Sequence, residues 1–334
     1  AGAAARSDGA RPLSGELASE PADALVIHNP SAGTRNPGRL RARIAERLGR
    51  RGVRAEVWTT SDARAARQLA RRGVAEGIPR VLVAGGDGTV SEVAGELAGR
   101  ESVLGILPFG TGNQLAFYLG LPLALDRALD VALGASIRAM DVGSIDGRTF
   151  TAIAGAGIDA EVIAGADRTV KRWVGKLAYL ASGLGAALRM RPATIRVQVD
   201  GAEWEGRGLG VLLANVPRLR VPLLPGGLTI APDACADDGI LDACVLTAHD
   251  LAGLAHDVWR GLVSNGGRGS GLRYFRGRTI RVETDPPLSV EVDGDLAGFT
   301  PIQATLQPAA LRVAAPQIAS REGALDAGAG SGRR

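Results

Sequence analysis

Residues 81–89 read Val-Leu-Val-Ala-Gly-Gly-Asp-Gly-Thr, a short apolar run that leads directly into a glycine-rich turn. The run predicts a buried strand, and residues 90–98 after the turn predict a helix. Glycines lack a Cβ, so backbone N–H groups approach an anion closely, and a helix N-terminus adds a favourable dipole. The stretch therefore predicts a phosphate-binding turn, although hairpins and tight crossovers use the same residue types.

Strand and helix patterns alternate around this stretch from residue 24 to residue 133, which predicts a parallel sheet covered by helices. Asn36 and Pro37 open the first helix, and Ser61 or Asp62 caps the second. Two further turns rich in Gly, Ser, Thr and Asn follow predicted strands, at residues 29–33 and 108–113. Because ligands of open α/β sheets bind beyond the carboxyl ends of the strands, the three turns predict one anion-binding edge.

The pattern changes at about residue 138 to a run of short alternating strands, among them Thr149–Ala154, which predicts a β-sandwich. A helical pattern interrupts this run between residues 159 and 190. The predicted fold class is therefore α/β with two domains, an N-terminal α/β nucleotide-binding domain and a C-terminal β-sandwich domain. The predicted organisation is a disordered tail at 1–22, the nucleotide domain at 23–137, the sandwich at 138–300, a segment returning to the first domain at 301–316, and a second tail at 317–334.

Composition narrows the class of protein further. The apolar stretches fall short of the roughly 18 uninterrupted residues that a membrane span needs, and the two cysteines lack companions at zinc spacing. The cytoplasm is the expected compartment, and no nucleic-acid partner is expected. Residues 35–80 contain thirteen arginines, which predicts either a solvated helix surface or a face for phosphates and anionic lipid headgroups.

The positions of the lysines exclude two common kinase designs. Only Lys171 and Lys176 are lysines, and neither lies in the nucleotide half, whereas P-loop kinases and protein kinases both need a lysine there. A triphosphate would instead meet backbone amides, arginine, Mg²⁺ and the hydroxyls of Ser31, Thr89 and Thr111. Asp87 either positions the metal or hydrogen-bonds the turn itself, and both alternatives stay open.

Five motifs in order resemble one family. They are the turns at 29–33, 85–89 and 108–113, the stretch from Ala231-Pro232-Asp233-Ala234 to Asp237-Asp238-Gly239-Ile240-Leu241-Asp242, and Asp293-Gly294-Asp295. Together they resemble the diacylglycerol kinase catalytic-domain family, which includes bacterial lipid kinases and the sphingosine and ceramide kinases. The resemblance covers about residues 24–315.

The resemblance implies a nucleotide domain, a sandwich domain, MgATP as donor and a lipid hydroxyl as acceptor. The residues that it places against ATP are Asn29, Pro30, Ser31, Ala32, Gly33, Thr59, Gly85, Gly86, Asp87, Gly88, Thr89, Val90, Ser91, Thr111 and Asn113. It also implies a structural Mg²⁺ site made by the Asp238 carboxylate and the backbone oxygens of Cys235 and Ile240. The alternative for that stretch is a plain turn before a strand.

Asp293-Gly294-Asp295 has two interpretations. Asp-Gly between alternating strands predicts a hairpin turn with no catalytic role. In the family the position reads Asp-Gly-Glu and supplies the general base, so the resemblance implies catalytic roles for Asp293 and Asp295. Here residue 295 is Asp, one methylene shorter than Glu. This difference bears on the role of Asp295 more than on that of Asp293. A second departure is Gln114, where many members carry Asp.

These observations predict an ATP-dependent lipid kinase acting on a diacylglycerol-like or sphingoid-like lipid. Peripheral contact with an anionic membrane surface is expected, with residues 219–227 as a candidate lipid-facing loop. An NAD kinase, which shares a Gly-Gly-Asp-Gly turn, and a non-catalytic lipid- or nucleotide-binding module are the alternatives.

Overall fold

The computed structural model describes residues 22–32, 36–157, 192–221, 224–247 and 271–317. Gly33, the helical pattern at 159–190, part of the candidate lipid-facing loop and nearly all of both predicted tails lie outside the described residues. Within the described parts of the chain, no helix combines the length and apolar character needed to cross a bilayer.

The N-terminal half alternates parallel strands with helices, as the sequence pattern predicts. Its elements are β1 (Ala24–His28), α1 (Pro37–Arg50), β2 (Ala55–Thr59), α2 (Ala63–Ala75), β3 (Arg80–Gly85), α3 (Asp87–Leu97), β4 (Val103–Pro108), α4 (Gln114–Tyr118) and α5 (Leu125–Leu133). Both predicted caps are confirmed: the Asn36 side chain accepts from the Arg39 N–H at 3.2 Å, and the Asp62 side chain accepts from the Ala65 N–H at 2.8 Å. Such caps satisfy N–H groups that the helix itself leaves without a partner.

The C-terminal half is built from strands. They are β5 (Ile137–Ile145), β6 (Arg148–Phe150), β7 (Ile153–Ala156), β8 (Ala193–Val199), β9 (Ala202–Gly208), β10 (Gly210–Ala214), β11 (Arg218–Val221), β12 (Leu224–Thr229), β13 (Leu241–Leu246), β14 (Leu272–Gly277), β15 (Thr279–Asp285), β16 (Ser289–Val292), β17 (Asp295–Phe299) and β18 (Ile302–Ala314).

One large sheet joins the two halves. Its strand order is β2-β1-β3-β4-β18-β15-β8-β9, with β5 beside β18 and β6 beside β5. The long strand β18 runs parallel to β4 and antiparallel to β15, so it lies between the α/β half and the sandwich half. A second sheet, β14-β13-β10-β7-β16-β17, covers the sandwich half.

Apolar side chains pack in three clusters around these sheets. Alternate residues of β1 and β3 bury one face under α1 and α5 and the other under α2 and α3. In the sandwich, β8 alternates strictly between buried and exposed residues, and Ile195 and Val197 pack in one core with Val211 and Leu213 of the opposite sheet. This period of two is the pattern of a sheet with one buried face.

Two predicted elements differ from the structure. The helix predicted at 90–98 begins at Asp87, because the extended Gly86 serves as its N-cap, so Asp87–Thr89 is the first helical turn. The predicted strand Thr149–Ala154 is divided into β6 and β7, with a break at residues 151 and 152. The cause of that break lies in the candidate site.

Many of the arginines in residues 35–80 are ion-paired, which favours the solvated-surface interpretation for those side chains. Carboxylates within 4 Å pair with Arg47, Arg50, Arg51, Arg54, Arg67, Arg71 and Arg72. Exposed pairs of this kind contribute little to stability, typically about 0–1 kcal/mol each.

Candidate functional site

The three glycine-rich turns meet at one edge of the large sheet, which confirms their predicted convergence. The Asn29 amide donates to the Thr89 hydroxyl at 2.7 Å, and the N–H groups of Phe109 and Gly110 donate to the Gly85 carbonyl at 3.1 and 3.0 Å. A Cβ on Gly110 would overlap the Cα of Gly86. These glycines therefore allow two backbones to pass closely, a requirement separate from anion binding.

The N-terminus of α3 is the clearest anion-binding feature at this edge. Its N-cap is Gly86, which has no side chain, and no side chain caps the helix. The first N–H groups of α3 are therefore left for a ligand or for water, and the helix dipole adds a positive partial charge there.

Asp87 hydrogen-bonds the neighbouring turn. Its Oδ1 accepts from the N–H of Gln114 at 2.6 Å, which caps α4 from another element because Asn113 makes no side-chain cap. Burial raises the pKa of Asp87 to about 6, and the nearby Asp293 carboxylate adds to the effect. The hydrogen-bonding alternative for Asp87 is therefore seen directly in the structure.

The remaining residues of the ATP set differ in their exposure to solvent. Thr59, Ser31 and Thr111 are exposed at the edge, and Pro30 and Ala32 lie half-buried beside them. Asn113 is buried and its amide donates to the Gly110 carbonyl at 2.7 Å.

The side chains of two members of that set lie inside the fold. The Val90 side chain packs in the apolar core, and its N–H donates to the Gly86 carbonyl. The Ser91 hydroxyl is buried and donates to the Asp293 carboxylate.

The Asp293 carboxylate is saturated by hydrogen bonds. Its Oδ1 accepts from the N–H groups of Ala152 and Ile153 at 3.1 and 2.9 Å. Its Oδ2 accepts from the Thr151 N–H at 2.7 Å, from the Thr151 hydroxyl at 3.2 Å and from the Ser91 hydroxyl. An ionised carboxylate has about four acceptor sites, so these five donors occupy the group in this structure.

These bonds explain the break between β6 and β7. The N–H groups of residues 151–153 turn to the Asp293 carboxylate instead of continuing a strand ladder. Burial raises the pKa of Asp293, and the Ser91 hydroxyl and the three amides act in the opposite direction. The Asn215 amide, which sequence reasoning missed, donates to the carbonyl of Thr151 at 3.0 Å and so holds the same segment.

Asp293 and Gly294 are also the two central residues of a hairpin turn. Their φ angles of 45° and 93° and the pairing of Val292 with Asp295 define a two-residue loop of the type that favours Asp-Gly. The hairpin predicted for this turn is therefore confirmed. Asp295 is the first residue of β17, the strand that follows the turn.

Asp295 is the exposed carboxylate of the site. A Cβ on Gly88 would lie 2.6 Å from the Asp295 Oδ2, so this oxygen lies directly against the first turn of α3. The side chain is therefore open to solvent and adjacent to the uncapped helix N-terminus. A side chain at position 88 would have to move this carboxylate away from the helix.

Arg276 of β14 contacts carboxylates of the stretch for which the resemblance implies a structural Mg²⁺ site. Arg276 donates to Asp238 Oδ2 at 2.6 Å and to the Asp233 carbonyl at 3.2 Å, and its Nε lies 3.0 Å from Asp242 Oδ1. Asp238 Oδ1 accepts from the Ile240 N–H at 3.0 Å, and the Cys235 thiol donates to Asp237 at 2.7 Å. No group of three or more His, Cys, Asp or Glu side chains among the described residues is arranged to hold a metal ion.

Two further carboxylates order this stretch, and sequence reasoning missed the first. The buried Asp141 accepts from the N–H groups of Gly239 and Ala309, both at 2.7 Å, and so ties the stretch to β18. An acidic residue inside an apolar strand pattern is the signal that would have found it. Burial raises the pKa of Asp242 to about 6, against the effect of Arg276.

We expect excess EDTA to leave the thermal unfolding midpoint unchanged, because Arg276 already neutralises these carboxylates. Arg276→Met should lower the free energy of unfolding by about 1–2 kcal/mol, because it leaves the buried Asp242 carboxylate without its partner while Arg276 itself is partly exposed. The loss should shrink as the pH falls below the pKa of Asp242, where protonation removes the charge. Arg273→Met, an exposed arginine of the same strand, is the matched control. A wild-type midpoint that falls with EDTA and recovers with Mg²⁺ would instead support the metal site.

Family models match both halves of the chain. Residues 23–145 match the diacylglycerol kinase catalytic domain, and residues 152–315 match the YegS C-terminal NAD kinase beta sandwich-like domain.

Relatives and solved structures agree with these matches. The chain is 32% identical over 299 residues to a probable lipid kinase YegS-like of Pseudomonas aeruginosa, covering 87% of this chain and 93% of the relative. It is 26% identical over 282 residues to the diacylglycerol kinase of Bacillus subtilis, covering 83% and 91%. The crystal structure of a putative diacylglycerol kinase from Bacillus anthracis superposes with a TM-score of 0.73 at 23% identity, covering 91% of this chain and 99% of that one, and shows the same fold. The chain therefore belongs to the diacylglycerol kinase catalytic-domain family of lipid kinases.

Proposed function

We propose that this protein transfers the γ-phosphoryl group of ATP to a hydroxyl of a diacylglycerol-like or sphingoid-like lipid. One observation carries the proposal: the exposed Asp295 carboxylate lies against the uncapped N-terminus of α3. A phosphate cradle and a free carboxylate side by side are what a phosphoryl transfer to an alcohol needs. The relatives named diacylglycerol kinase and lipid kinase support a lipid alcohol as the acceptor.

The donor side of the site is built from backbone groups and hydroxyls. The N-terminus of α3 would receive the phosphates, and the exposed hydroxyls of Ser31, Thr59 and Thr111 surround that edge. Mg²⁺ would enter as the counter-ion of ATP and would neutralise charge on the phosphates. Because Asp87 caps α4, we assign it no metal and no step in the transfer.

We assign the general base to Asp295 and an anchoring role to Asp293. Asp295 would accept the proton of the lipid hydroxyl while the hydroxyl oxygen bonds to the γ-phosphorus. The bond from that phosphorus to the bridging oxygen would break, and ADP would leave with the electron pair. Asp293 supports this geometry because its carboxylate fastens the hairpin that carries Asp295.

A lipid acceptor requires contact with a membrane surface. We propose that this contact is peripheral and involves anionic headgroups, with exposed arginines of α1 and the hairpin formed by β11 and β12 as its contact residues. Arg39, Arg41 and Arg43 are exposed on α1. Cationic side chains of this kind are each worth about 1 kcal/mol near an anionic surface.

Transfer of radiolabelled phosphate from ATP to a lipid panel tests the function. We expect one class of lipid alcohol in mixed micelles, diacylglycerol or a sphingoid base, to be labelled far above the others. A parallel incubation with NAD tests the alternative, and formation of NADP without labelled lipid would establish an NAD kinase. Saturable ATP binding with no phosphorylated product would indicate a non-catalytic binding module.

A further inference from the structure

The hairpin formed by β11 and β12 is fastened to the turn at 108–113 by the side chain of Gln114. The Gln114 Oε1 accepts from the backbone N–H of Arg220 at 2.6 Å, and its Nε2 donates to the backbone carbonyl of Arg220 at 3.3 Å. A primary amide can serve a backbone N–H and a backbone C=O at once because it carries both a donor and an acceptor. Gln114 thus contacts the hairpin in the way that a neighbouring strand would.

The side chain of Arg220 returns to the same turn. Its Nη1 donates to the carbonyls of Thr111 and Gly112 at 2.9 and 3.0 Å. The hairpin also packs closely on α4, since a Cβ on Gly227 would lie 2.9 Å from the ring of Phe117. Two hydrogen bonds therefore join the hairpin to the turn, and two more with one close packing contact join it to α4.

Gln114 is linked to α3 as well. Its backbone N–H donates to Asp87, and Asp87 is the first residue of the helix whose N-terminus faces the proposed phosphate site. A short path of direct contacts therefore runs from α3 through Asp87 and Gln114 to the hairpin. Close-packed elements have low compressibility, so a displacement of one is opposed by its direct contacts.

We propose that Gln114 and Arg220 are positioning residues that couple nucleotide binding at the turn to the position of the β11–β12 hairpin, and through the hairpin to binding of the acceptor. The inference rests on the proposed function for the identity of the two ligands. A carboxylate at position 114 could not donate to the Arg220 carbonyl, so the two-bond contact depends on the amide of Gln114.

Hydrogen exchange of the hairpin amides tests the coupling without requiring turnover. In the wild-type protein, a non-hydrolysable ATP analogue should slow exchange in residues 218–229 by about tenfold. In Gln114→Glu, which keeps the size but replaces the donor with an oxygen, the slowing should fall to about twofold. Arg220→Ala should have the same effect, and Gln198→Glu, the same change on an exposed strand, should have none. Equal slowing in all variants, or no slowing in the wild type, would overturn the coupling.

Steady-state kinetics separates this inference from the proposed function. For Gln114→Glu we expect the KM for the lipid to rise about fivefold to tenfold with kcat nearly unchanged, because one hydrogen bond is lost and an oxygen faces a carbonyl. Lipid phosphorylation by the wild type with unchanged KM in Gln114→Glu would contradict the coupling alone. Hairpin protection by the analogue without any phosphorylated lipid would contradict the proposed function alone.

Discussion

Asp295→Asn is expected to reduce kcat for lipid phosphorylation by about 10²–10⁴-fold, the range associated with loss of a general base. The thermal midpoint should stay within about 2 °C of the wild type, because the side chain is exposed. Affinity for an ATP analogue should be retained, since the N-terminus of α3 is unchanged. Initial rates with radiolabelled ATP and calorimetry of the same samples measure the three quantities.

Two further variants control this experiment. Asp295→Glu keeps a carboxylate but makes the side chain one methylene longer, as is usual in the family. This variant should keep most of the activity. Asp146→Asn changes an exposed aspartate in another Asp-Gly hairpin, whose φ angles of 48° and 82° match those of the turn at 293, and should have no effect. Full activity in Asp295→Asn would rule out Asp295 as the base.

Asp293→Ala is expected to lower the free energy of unfolding by about 3–5 kcal/mol. The substitution leaves three buried backbone N–H groups without an acceptor, and each unsatisfied buried group costs about 1–3 kcal/mol, partly relieved by relaxation. Asp293→Asn should cost less, because its amide oxygen still accepts from Ala152 and Ile153 while its NH₂ group opposes the Thr151 N–H. Chemical denaturation measures both losses.

Activity per folded molecule separates the two aspartates. If Asp293 is an anchor, Asp293→Asn assayed well below its unfolding transition should lose much less activity than Asp295→Asn. If Asp293 were the base, its asparagine variant would show the larger loss of kcat with little change in stability. The comparison uses the same substitution at two positions of one hairpin, so turn geometry does not confound it.

Much of the fold is readable from local patterns. The strands β1, β3 and β4, the caps Asn36 and Asp62 and the glycine-rich turns at the strand ends all depend on groups a few residues apart. Hydrophobic period, cap hydrogen bonds and the conformational freedom of glycine act at that range. The convergence of the turns follows from them because parallel strands end at one edge.

The roles of individual carboxylates were not readable in this way. Ser91 and Asp293 are 202 residues apart, Asp87 and Gln114 are 27 apart, and Asp238 and Arg276 are 38 apart. Donors this far away in the sequence decide whether a carboxylate is fully hydrogen-bonded, partly hydrogen-bonded or exposed to solvent. The break in the predicted strand at 149–154 has the same origin, because its amides bond to Asp293.

Local propensity and periodicity were enough to predict an α/β half, a sandwich half and three turns suited to close backbone approach. The folded chain was needed to see that Asp293 is buried and fully hydrogen-bonded, that Asp295 is exposed beside α3 and that Arg276 neutralises Asp238 and Asp242. A carboxylate's chemistry depends on the donors, charges and water around it, and the fold assembles these from distant parts of the chain.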